Sequence, residues 1–84
     1  MRRAKTVELN EQTSRGDARA ALALLEKSMN HGHERIGLLR YLMARRLGAS
    51  LEPRHHTYAE QITAKMSASA LVSLLEEAQR RCRN

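Results

Sequence analysis

Apolar positions in this chain recur at helical spacing, and no stretch alternates with the two-residue period of a strand. From Asp17 onward, Ala18, Ala21, Leu22, Leu25 and Met29 fall three or four residues apart, which places them on one helix face. Ser14 and Asp17 are N-cap residue types and Gly32 supplies a stop. An acidic cap at the start and His31 in the last turn both have the sign that the helix dipole favours. The pattern predicts a first helix over 17–31.

A second run carries Ile36, Leu39, Met43 and Leu47, closed by Gly48, and predicts a helix over 34–47. At 100° per residue these four span an arc of about 80°, while Leu38, Tyr41 and Leu42 form another stripe on a different side. This helix therefore has two surfaces to bury. Either it is central, touching the first helix and later ones at once, or the second stripe meets another chain.

Residues 48–56 hold Gly48, Ser50, Pro53, His55 and His56 and read as a loop. Thr57 and Glu60 have capping-box spacing, which predicts a short third helix over 58–65. Ser67 is a further cap, and Leu71, Leu74, Leu75, Ala78 and Cys82 keep helical spacing over 68–82. Residues 1–13 are polar, offer only Val7 and Leu9 as anchors, and read as a flexible basic arm ahead of a single domain over 14–84. The expected fold is a compact all-α domain of four helices.

Eighty-four residues fit one small domain. The aromatic residues are Tyr41 and Tyr58 alone, so the core must be built from twelve Leu with a few Ile, Val and Met. Such a thin aliphatic core gains from packing on a partner chain, and a homodimer is expected. Fifteen Lys and Arg against nine Asp and Glu give a net charge of +6, and twelve of the cations are Arg. Guanidinium forks match phosphates and carboxylates in pairs of hydrogen bonds, so the partner expected is a nucleic acid or an acidic protein surface.

Cys82 is the single cysteine, which rules out an intrachain disulfide and a Cys-rich zinc site. Arg2, Arg3 and Lys5 are followed by Thr6, Val7, Glu8 and Leu9 rather than by the apolar run of a secretion signal. The longest apolar run, Ala20 to Leu25, is far short of the roughly 20 residues that span a membrane. A cytoplasmic, membrane-free protein is expected.

The third and fourth predicted helices and their short connection have the outline of a helix-turn-helix unit. Tyr58-Ala59-Glu60, then Met66-Ser67-Ala68-Ser69-Ala70-Leu71, then Ser73, Leu75, Ala78 and Arg80-Arg81 resemble the helix-turn-helix units of sigma-factor and response-regulator output domains, over residues 57–83. The resemblance implies a small DNA-binding transcriptional or mobile-element regulator. Ser67, Ser69 and Ser73 would then meet phosphates or base edges, with Arg80 and Arg81 on the backbone. Arg35 and Arg46 lie within about 20° of each other on the second helix; with Arg54 and the arm residues Arg2, Arg3 and Lys5 they extend this candidate footprint.

The competing expectation is a protein-interaction module of antiactivator or chaperone-like kind. It rests on Leu38, Tyr41, Leu42, Val72 and Leu74, and on a fourth helix whose surface carries Val72, Glu76 and Glu77 in place of cations. His31, His33, His55 and His56 lack the spacing of a metal-ligand set. No cofactor, no metal and no catalytic residue is expected: the chain has neither a Gly-rich phosphate loop nor a nucleophile with an evident base.

Overall fold

The computed structural model of the chain describes Leu9 and residues 16–81. Within them lie four helices, α1 (Ala18–His31), α2 (Glu34–Arg46), α3 (Pro53–Thr63) and α4 (Ala68–Arg81), and no strand. Apart from Leu9, the basic arm lies outside the described residues, as do Ser14 and Cys82.

Asp17 starts α1 as expected: its Oδ1 accepts from the backbone N–H groups of Arg19 at 2.9 Å and Ala20 at 3.1 Å, satisfying two donors that have no partner within the helix. Gly32 ends it in the left-handed region at φ 70°, where glycine carries no Cβ penalty. The buried face is Ala20, Ala21, Leu24, Leu25 and Ser28, rotated from the expected one. Leu22 and Met29 are only half-buried beside it. Two alanines let α2 approach closely, and Ser28 is buried because its Oγ accepts from Arg40 Nη1 at 2.8 Å.

The two apolar stripes of α2 have one explanation: α2 is central and packs on α1, α3 and α4. Leu38, Leu39, Tyr41, Met43 and Ala44 are all buried. Leu38, Tyr41 and Leu74, expected at a partner surface, are instead core residues; Leu38 and Leu74 are 0% exposed. Leu42 is half-buried and Val72 is 52% exposed. An aromatic-poor chain of this size spends its second stripe internally, because three helices must share one central one.

The expected loop over 48–56 is shorter than predicted. Pro53 is the first residue of α3 and Glu52 is its N-cap; proline suits that position because its missing N–H would have no helical partner there. The backbone N–H of Glu52 donates to His55 Nδ1 at 2.9 Å. Nδ1 is thereby the acceptor, so Nε2 carries the hydrogen directed at Glu26 Oε2, 3.1 Å away on α1. His55 is 1% exposed, and this bond fastens α3 to α1. Thr57, the expected cap, is an exposed residue inside the helix.

The third helix also ends earlier than expected, at Thr63, whose Oγ1 turns back to donate to the Glu60 carbonyl at 3.1 Å. Lys65 in the following turn donates to both carboxylate oxygens of Glu34, at 3.0 and 2.8 Å, holding the turn against the start of α2. Ser67 caps α4 as predicted, its Oγ accepting from the Ala70 N–H at 3.2 Å.

Gly37 explains how close α3 sits. The Tyr58 hydroxyl donates to the His33 carbonyl at 3.4 Å, and a Cβ on Gly37 would lie 2.0 Å from that oxygen and 2.9 Å from the ring carbon bearing it. Only a residue without a side chain lets the Tyr58 ring cross α2 here.

Candidate functional site

The sides of α2 that α1 does not cover open into two depressions. On a helical projection the residues lining one and those lining the other lie on opposite sides of α2. The first is an apolar groove of about 500 Å³ bounded by α2, α3 and α4. Leu38 and Ala59 form its buried floor, and half-buried Leu42 and Leu71 line it together with Leu75, which is 41% exposed. Its polar edge is the Tyr41 hydroxyl, 2.7 Å from His56 Nδ1.

Leu42, Arg45 and Leu75 are shared with an adjoining hollow that reaches Arg46 and Gln79. A further hollow brings Arg46 beside Arg80, with Glu76 and Gln79. The groove therefore runs into an edge of three arginines, Arg45, Arg46 and Arg80. Among the described residues none of the three is in an ion pair.

The second depression, about 330 Å³, lies between α1, α2 and α4. Ile36, Leu39 and Met43, the first apolar stripe of α2, line it with Arg35, Arg40 and Arg81. Glu77 is shared, 3.8 Å from Arg35 and 2.9 Å from Arg81. Arg40 Nη1 donates to Ser28 Oγ and, at 3.3 Å, to the Leu24 carbonyl. Burial, and then the neighbouring charge of Arg81, hold the Arg40 guanidinium below the usual arginine range.

Of the residues expected to contact nucleic acid, the structure brings Arg46 and Arg80 together at one hollow and Arg35 and Arg81 together at another. Arg54 is on α3, where Glu52 at 2.8 Å and Glu26 both hold it; the hydrogen bond and charge of Arg54 keep the Glu52 carboxyl below the usual carboxylate range. Arg35 and Arg81 share Glu77. Ser67 is occupied in capping, Ser69 Oγ lies 3.4 Å from Ser67 Oγ, and Ser73 is exposed. Arg2, Arg3 and Lys5 are outside the described residues.

Arg45, Leu75, Ile36 and Arg40 are the site residues that sequence reasoning missed. Leu71 and Leu75, one turn apart, were visible as a stripe of α4, but only packing shows that Leu74 takes the core position and leaves Leu75 at a groove. His31 and His33 stack with ring centroids 5.8 Å apart. The described residues include no group of three or more side chains able to hold a metal ion, and no helix among them is long and apolar enough to cross a membrane.

No family model matches the chain, and neither a curated protein nor a solved structure matches it.

Proposed function

We propose that this chain is a non-enzymatic protein-interaction module that holds an acidic amphipathic helix of a partner in the groove between α2, α3 and α4. The observation that carries this is the continuity of an apolar groove, edged by the exposed Leu75 side chain, with Arg45, Arg46 and Arg80, cations without carboxylate partners among the described residues. A partner helix with apolar residues at i, i+3 or i+4, and i+7 fills such a groove. Carboxylates along its flank would meet the arginine edge, which sets orientation and speeds encounter more than it adds affinity.

Selection of a displayed helical-peptide library against the folded chain tests this. Enriched peptides are expected to carry that apolar spacing with Asp or Glu on one flank, and Leu75→Glu should weaken them by more than about tenfold, roughly 1.4 kcal/mol, without unfolding the chain. Enrichment without an acidic flank, or binding that survives Leu75→Glu, overturns the proposal.

The juxtaposition of Arg46 and Arg80 favours DNA as a second reading, with phosphates taking the place of carboxylates. Fluorescence anisotropy with random duplex DNA at two salt concentrations separates the two. Salt-steep binding that falls in Arg46→Gln with Arg80→Gln but survives Leu75→Glu would replace the peptide groove with a phosphate contact.

A further inference from the structure

The pocket on the other side of α2 is independent of the peptide groove. Three guanidiniums line it against one carboxylate, and Glu77 already serves two of them, Arg35 and Arg81. Among the described residues Arg40 has only neutral acceptors, a serine hydroxyl and a backbone carbonyl. It also sits close enough to Arg81 to feel its charge. An anion between Arg40 and Arg81 would relieve that repulsion and gain charge-assisted hydrogen bonds.

The rest of the lining is apolar. Ile36 belongs to the stripe that α2 uses for packing, yet it is 47% exposed at this pocket, above Leu24, Leu39 and Met43. At about 330 Å³ the space lies at the small end of ligand pockets, which run from roughly 300 to 1,000 Å³.

We infer that this pocket binds a small amphipathic anion, a carboxylate or phosphate monoester on a short apolar chain, with the charged head between Arg40 and Arg81 and the chain on Ile36, Leu39 and Met43. Arg35 and Glu77 frame the head. Glu77 takes Nε and Nη2 of Arg81, at 3.0 and 2.9 Å, and lies 3.8 Å from Arg35, so the head group meets Arg40 and the remaining Nη1 of Arg81.

The test is a titration of the full chain with hexanoate, hexyl phosphate, hexanol and acetate, followed by backbone amide and arginine side-chain NMR shifts. Hexanoate or hexyl phosphate should give saturable shifts at Ile36, Leu39 and Arg40, and which of them binds tighter identifies the head group. Hexanol, lacking the charge, and acetate, lacking the chain, should each bind at least about tenfold more weakly. Arg81→Gln should weaken the anion about tenfold. Arg40→Gln should abolish binding; should that variant not fold, Ile36→Ser, an exposed position, reports on the apolar half by a several-fold loss. Leu75→Glu should leave this binding unchanged, which separates the pocket from the peptide groove. Equal binding of hexanol, equal binding of acetate, no saturable shift, or shifts that map to Leu42 and Leu75 would each overturn the inference.

Discussion

Helices α1 and α4 have the same length, fourteen residues, and both lie against α2, yet they are used differently. α1 buries five positions along its whole face. α4 buries two, Leu74 and Ala78, and leaves Val72 52% and Leu75 41% exposed. The difference follows from side-chain size and contact geometry. Ala20 and Ala21 permit a close, continuous contact between α1 and α2, reinforced by the hydrogen bond from Arg40 to Ser28. On α4 the larger Leu71, Val72 and Leu75 surround a narrow contact, so apolar surface remains beyond what the fold consumes. Exposed apolar residues gathered at a groove mark a place where something else packs.

The sharpest way to break this comparison is to truncate one leucine on each helix. Leu25 is 0% exposed, and Leu25→Ala is expected to cost about 2–5 kcal/mol through lost burial and the cavity left behind, enough to unfold much of a domain this small. Leu75→Ala should cost about 1 kcal/mol or less, because much of that side chain is already in water. Urea unfolding followed by circular dichroism measures both. A similar cost for the two would show that α4 is as much a part of the core as α1.

A second substitution sharpens the boundary between the tight and open sides of α2. Gly37→Ala gains about 1 kcal/mol of helix propensity but drives a methyl into the Tyr58 ring, an overpacking that typically costs about 1–3 kcal/mol. The expected net effect is destabilisation of up to about 2 kcal/mol. In a Tyr58→Ala background the same change should become neutral or stabilising by up to about 1 kcal/mol. Loss of stability that persists in the double variant would mean that α3 is not held by this crossing.

The smallest effect is expected at the start of α3. Arg54 lowers the pKa of Glu52, so the folded state favours the ionised carboxylate. That contribution is complete above the ordinary glutamate range and is lost as pH falls through the lower folded value. Because both groups are exposed the effect is small. An Arg54→Gln variant should be slightly less stable at neutral pH, and its difference from the parent should close as pH falls below the glutamate range; a difference that does not change with pH would show that this ionisation contributes nothing measurable.

Periodicity and caps made the helices legible. Asp17, Gly32 and Ser67 act at the chain positions their residue types suggest, because capping is a local matter of one side chain and the next few backbone groups. The start of α3 was misread for an equally local reason: proline serves turns and first helical positions alike, and His55 as a partner for the Glu52 N–H lies outside the usual capping-box spelling. The two stripes of α2 were visible, but not what would cover them.

The amino-acid order by itself determined an all-α chain of four helices, the second of them with two faces to satisfy, and an excess of arginine. These are properties of spacing and composition, felt within a few residues. The assignment of Leu38, Tyr41 and Leu74 to the core, of Leu75 to a groove, and of Arg40 and Arg81 to one pocket was decided by the tertiary structure. Each depends on which side of one helix meets which side of another, and the competing apolar stripes on α2 and α4 are too similar in strength for spacing alone to choose between them.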